Sequence, residues 1–129
     1  SRLPRALTPI GLLMIGAGGA VLRWTVMAFD PPVAALPFLQ LLHAASFGAT
    51  HLGALTFIAR HAPPGQAASA QGYYAIAQGV AMAAATGMSG WLYGAFGAAA
   101  YGAMALAAIA GGICSRVASR AGAVALVPR

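Results

Sequence analysis

The sequence predicts an all-α polytopic membrane protein, four transmembrane helices in an up-down bundle, and three observations carry that expectation. Of the 129 residues, 60% are hydrophobic and only 6% are charged, with a mean hydropathy of +0.80. A soluble domain carries roughly 25% charged residues because its surface faces water, so the surplus apolar surface here must face lipid. Apolar residues also gather into four stretches of about 20, each long enough at about 1.5 Å per residue to cross a hydrocarbon core of roughly 30 Å. Finally, no alternation of period two is visible, and a lipid-spanning sheet would need it to close into a barrel.

The four helices are expected at residues 8–29, 36–60, 69–93 and 98–117. Pro4 and Arg5 precede the first. Asp30-Pro31-Pro32 ends it, since a proline disfavours the α conformation in the residue before it. His61-Ala62-Pro63-Pro64-Gly65 separates the second from the third. Gly94-Ala95-Phe96-Gly97 forms a very short link to the fourth, and short links imply antiparallel neighbours. Glycine and alanine abound, as in helices that pack closely within a bilayer. Ala75, Gly79, Ala83 and Gly87 recur every four residues in the third helix, and Ala99, Ala103, Ala107, Gly111 and Ser115 do so in the fourth. Small residues at that spacing are expected to form packing faces.

Seven arginines, no lysine and one acid, Asp30, give a net charge of +6. Nucleic acid is not an expected partner, because each arginine stands singly or in a pair near a hydrophobic edge. Arg2 and Arg5 precede the first helix, Arg60 follows the second, and Arg116, Arg120 and Arg129 lie at the end of the fourth. All six fall on one side of an up-down bundle. The positive-inside rule then puts both termini in the cytoplasm of a multi-pass plasma (inner) membrane protein. Cys114 is alone, which excludes an intrachain disulfide and a cysteine metal cluster. Opening on Ser1, without a cleavage site after a short apolar core, the chain reads as a piece of a longer protein and not as one led by a signal peptide.

Covalent catalysis is not expected, since one acid in a turn offers no acid/base pair and no activated nucleophile is visible. No cofactor is expected either. His43 and His51 are two turns apart on one helix and cannot be opposite axial ligands of one haem.

Polar residues within the spans are the candidate functional residues, because lipid penalises them unless they face the bundle or a wet cavity. At 100° per residue, Gln40, His43, Phe47 and His51 fall within about 80° of one another on the second helix. Their stripe fits either interhelical hydrogen bonding or contact with a solute or proton. Arg23 fits snorkelling to the outer headgroups, pairing with Asp30, or a fixed positive charge that holds an anionic or hydroxyl-rich solute. Arg23 and His43 lie at similar depths in antiparallel neighbours and are expected to face one cavity. Gln71, Tyr74, Gln78 and Ser89 share one face of the third helix, lining a path or bonding to neighbours.

The stretch Pro37-Phe38-Leu39-Gln40-Leu41-Leu42-His43-Ala44-Ala45-Ser46-Phe47, through His51 to Phe57-Ile58-Ala59-Arg60, resembles the tenth helix of a major facilitator superfamily transporter. Ala70-Gln71-Gly72-Tyr73-Tyr74 and Gly90-Trp91-Leu92-Tyr93-Gly94-Ala95-Phe96-Gly97 are similar to the same group, the phenylpropionate-permease-like branch related to the lactose permease type. The resemblance implies a partial major facilitator fold, helices nine to twelve of twelve. It further implies the C-terminal part of a secondary transporter, a proton-coupled symporter of a small organic solute. Its partners are then the lipid bilayer, the solute, protons and the N-terminal helices of the same transporter. Arg23 and His43 match positions that handle solute and proton in such relatives. Ser46 stands where those relatives carry a carboxylate, so the proton carrier must lie elsewhere. Two rivals remain: a free-standing four-helix structural or assembly subunit, and a small dimeric multidrug exporter, although the latter normally needs an intramembrane carboxylate.

Overall fold

The computed structural model describes residues 8–125, all helix and turn. Arg2, Arg5 and Arg129, part of the expected charge asymmetry, lie outside the described residues. Helix α1 spans Pro9–Ala28. Thr8 starts it by accepting a hydrogen bond from the Gly11 amide at 3.1 Å, and Pro9 fills the first turn, where its missing N–H costs nothing. Phe29 caps its end. Asp30 then takes a positive φ of 51°, a conformation that aspartate tolerates better than most residues, and Pro31-Pro32 forbids continuation.

A 3-10 turn at Val33–Ala35 leads into α2, Leu36–His61. At its end the His61 ring stacks on Phe57, 4.1 Å between centroids, and its Nδ1–H donates to the Phe57 carbonyl at 2.8 Å. Gly65, with φ at 80°, turns the chain into α3, Ala67–Phe96. A 3-10 turn, Gly97–Ala100, follows at once, and α4 runs Tyr101–Ala125.

By length and hydropathy, three helical stretches among the described residues are candidate membrane spans, where four were expected. They are Pro9–Ala28, Val33–His61 and Ala67–Arg120, the last of 54 residues. Helix α3 runs on through most of the expected link Gly94-Ala95-Phe96-Gly97. The backbone leaves helical geometry at Phe96, with φ of −124° and ψ of −2°, and at Gly97, whose φ of 57° and ψ of −140° suit a residue without Cβ.

Helix α1 is the centre of the packing, antiparallel to α2 on one side and to α4 on the other. Among the described residues the buried positions are small or of moderate size: Pro9, Gly16, Leu39, Ser46, Gly53, Ala105 and Gly112. No large side chain is fully buried. Cohesion therefore comes from backbone proximity. A Cβ on Gly16 would meet Thr50 Oγ1 and the Ser46 carbonyl oxygen. One on Gly19 would lie 2.9 Å from Ser46 Cβ, and one on Gly53 would lie 2.9 Å from the Pro9 carbonyl oxygen. Ser46 and Thr50 of α2 thus meet Gly16 and Gly19 of α1, and Gly53 meets the first turns of α1 at Pro9, Leu12 and Leu13, the close approach that small residues permit in membranes.

The small-residue stripes expected on the third and fourth helices lie largely outside the contacts among the described residues. Ala75, Gly79, Ala83 and Gly87 are all exposed, with open space beside both glycines. On α4 the buried residues are Ala105 and Gly112, which faces Ala17 of α1, whereas Ala107 and Gly111 are exposed. A helix rich in glycine and alanine on every side offers several such stripes, and its neighbours select among them.

Candidate solute-binding site

Helix α2 carries the polar stripe beside its contact face with α1. Ser46, Thr50 and Gly53 point at α1, while Gln40, His43 and Phe47 are exposed on the adjoining side and His51 is half-buried. One turn apart, the rings form a ladder. His43 and Phe47 centroids are 6.0 Å apart and tilted by 45°, and Phe47 and His51 are 5.9 Å apart and nearly parallel at 7°. Tyr74 of α3 extends the ladder, 6.3 Å from His51. His51 Nδ1 is buried and has no hydrogen-bond partner among the described residues.

Arg23 reaches across from α1. Its Nη1 lies 3.2 Å from His43 Nδ1. An arginine can only donate, so Nδ1 accepts, and the ring in this contact carries its proton on Nε2. Among the described residues Arg23 makes no ion pair with Asp30; the guanidinium turns toward α2, its carbon 4.1 Å from the centroid of the Trp24 ring. Its Nε is buried without a hydrogen-bond partner. The contact leaves unused N–H donors beside an exposed imidazole and an exposed phenyl ring, an arrangement suited to a carboxylate attached to an apolar or aromatic body.

The remaining expected site residues are not drawn into this contact. Gln40 is exposed, Gln71 and Gln78 are half-buried on α3, and none forms a side-chain hydrogen bond among the described residues. Ser89 donates to the Thr86 carbonyl of its own helix at 2.7 Å. Ser46, at the position expected to matter for protons, is 5% exposed and hydrogen-bonds back to the His43 carbonyl at 3.1 Å. It faces Gly19, not the stripe.

Sequence reasoning missed an aromatic cluster beside Arg23. Trp24 stacks on Tyr101 at 5.6 Å and 20°, and Tyr93 meets Tyr101 edge-on at 5.9 Å and 62°. The Arg23-Trp24 pair and the tyrosines flanking Gly97 were visible signals, but their meeting depends on how α1 and α4 pack. A cleft of about 530 Å³ opens beside Trp24, Tyr93 and Tyr101, between α3 and α4. No group of three or more histidine, cysteine or acidic side chains that could hold a metal ion occurs among the described residues.

Long apolar helices that meet through small residues, with a polar stripe beside that contact, have the character of an α-helical membrane protein. The model of the MFS_1 like family matches residues 1–124, and the chain belongs to that family of membrane transporters. It is also 30% identical over 109 residues to the "Probable 3-phenylpropionic acid transporter" of Escherichia coli (strain K12), a match that covers 84% of this chain and 29% of that protein. The chain thus spans less than a third of the length of the curated relative it matches. No solved structure matches it.

Proposed function

We propose that this chain is the C-terminal part of a secondary transporter that moves a small aromatic carboxylate together with protons by alternating access. The observation that carries the reading is the Arg23–His43 contact at 3.2 Å, the meeting of an intramembrane cation and a proton-accepting ring. Such groups are costly in lipid and mark solute and ion pathways. The name of the similar Escherichia coli protein supports an aromatic acid as the solute. Phe47, 48% exposed one turn from His43, supplies a ring face for its apolar part.

In this reading a solute carboxylate takes two N–H donors of Arg23. Once Arg23 turns to the carboxylate, His43 Nδ1 is released and accepts a proton, so solute and proton enter together. Gln40, His51, Gln71, Tyr74 and Gln78 continue the polar face along the path. The fold back at Gly97 divides the 54-residue helical stretch into two spans, four in all. As one straight helix it would extend about 80 Å, far beyond the bilayer core. Arg60, Arg116 and Arg120 then share the cytoplasmic side with both termini.

The test is uptake of 3-phenylpropionate by the intact transporter carrying Arg23→Lys or His43→Ala at matched expression. Each change is expected to lower uptake at subsaturating solute by at least about tenfold, since lysine cannot reproduce a bidentate contact. Parental uptake in both variants removes the pair from the mechanism.

A further inference from the structure

We infer that Trp24 and Tyr101 are positioning residues, the indole lying over the Arg23 guanidinium and Tyr101 holding the indole, a bracket that sets the affinity for an anionic solute without touching it. The inference rests on the reading of Arg23 as the anion-holding group. Arg23 has five N–H donors. Its only side-chain hydrogen bond among the described residues is the one from Nη1 to His43, and its buried Nε has no partner. One hydrogen bond at the tip of a long side chain does not fix the plane of the guanidinium. The second restraint is the indole face 4.1 Å from the guanidinium carbon.

That contact does not follow from sequence adjacency. Neighbouring helix residues point about 100° apart and do not face each other. The indole must be held over Arg23 from outside α1, and Tyr101 does so by stacking on it at 5.6 Å. Tyr101 is the first residue of α4, placed by the 3-10 turn at Gly97–Ala100, and Tyr93 at the end of α3 braces it edge-on. A line of contacts therefore runs from α3 through α4 and α1 to His43 on α2. Aromatic anchors at a membrane interface instead turn outward. Trp91, 70% exposed, has that character, whereas Trp24 and Tyr101 are half-buried against each other.

Uptake of 3-phenylpropionate by the intact transporter is measured, and the half-inhibitory concentration of its uncharged amide on that uptake is read as charge-independent binding. Trp24→Leu and Tyr101→Leu are compared with Trp24→Phe, Tyr101→Phe, Arg23→Lys and the outward-facing control Trp91→Leu. Loss of the cation–π restraint is expected to raise the half-saturation concentration for the acid by roughly three- to thirtyfold. The amide is expected to change less than about twofold, and the phenylalanine variants to recover much of the loss. Equal effects on acid and amide, or no effect on the acid, overturn the bracket. Loss of acid uptake in Arg23→Lys with none in either leucine variant overturns the bracket alone; a silent Arg23→Lys overturns the anion-site reading itself. A solute-free measurement runs alongside, a double-mutant cycle of Trp24→Leu with Arg23→Leu on unfolding in detergent. Measurable coupling supports the bracket, and strict additivity overturns it.

Discussion

Replacing Gly16 with alanine adds one methyl group where α1 and α2 approach most closely. The new Cβ would sit 2.8 Å from the Ser46 carbonyl oxygen and 2.9 Å from the Thr50 nitrogen, and would collide with Thr50 Oγ1. A hydroxyl can rotate away, but two backbone groups of α2 cannot. Ordinary contact begins at 3.4 Å, so the helices must part locally by about 0.6 Å. Overpacking of this kind typically costs about 1–3 kcal/mol. Gly18, two residues along the same helix, has nothing within 4 Å, so alanine there adds a methyl group to open space. Both substitutions carry the same gain in helix propensity, and it cancels in their comparison. Gly18→Ala is therefore expected to be about 1–3 kcal/mol more stable than Gly16→Ala. The assay is reversible unfolding of the two purified variants in mixed detergent micelles, followed by helical circular dichroism. Arg23 lies two turns from Gly16 on α1, so parting the helices should also weaken the Arg23–His43 contact and lower solute uptake. Equal stability of the two variants refutes the assignment of Gly16 to the α1–α2 contact.

Two further outcomes are expected. Ser46→Glu should not create a proton carrier, because position 46 is buried against Gly19; a carboxylate there should destabilise the protein by about 3 kcal/mol or more, and parental stability contradicts this packing. In a Cys114→Ser background, Pro64→Cys should react with an impermeant thiol reagent in inside-out vesicles but not in intact cells; Pro64 is chosen because Gly65 has a φ of 80° that resists any side chain. Labelling from outside reverses the proposed orientation.

The helix ends were largely legible because proline and glycine act through local backbone geometry. Asp30-Pro31-Pro32 and Pro63-Pro64-Gly65 stand at helix ends in the structure. Within the link expected after Tyr93, Gly94 and Ala95 stay in the helix, since they tolerate a helix as readily as a turn, and Gly97 is where a positive φ appears. The Arg23–His43 approach could be anticipated from depth alone: each lies six or seven residues from the end of its antiparallel helix. The Trp24–Tyr101 stack could not, since 77 positions separate its members and no local rule connects them.

By itself the sequence determined that this chain is helical and apolar enough to lie in a membrane, because composition and length act residue by residue. It also determined which face of α2 carries Gln40, His43, Phe47 and His51, because a helix has one fixed period. Which small residues meet was left to tertiary structure. Glycines and alanines on α1, α3 and α4 offer several equivalent faces, and lipid exerts little preference among them. Only the packed helices show Gly16 and Gly19 against Ser46 and Thr50, and Gly53 against Pro9 and Leu13, while Gly79 and Gly87 stay open. That choice turns Ser46 into a packing residue and swings Arg23 toward His43 and away from Asp30. Close backbone contact is a property of two helices at once, and a single chain read in order does not contain it.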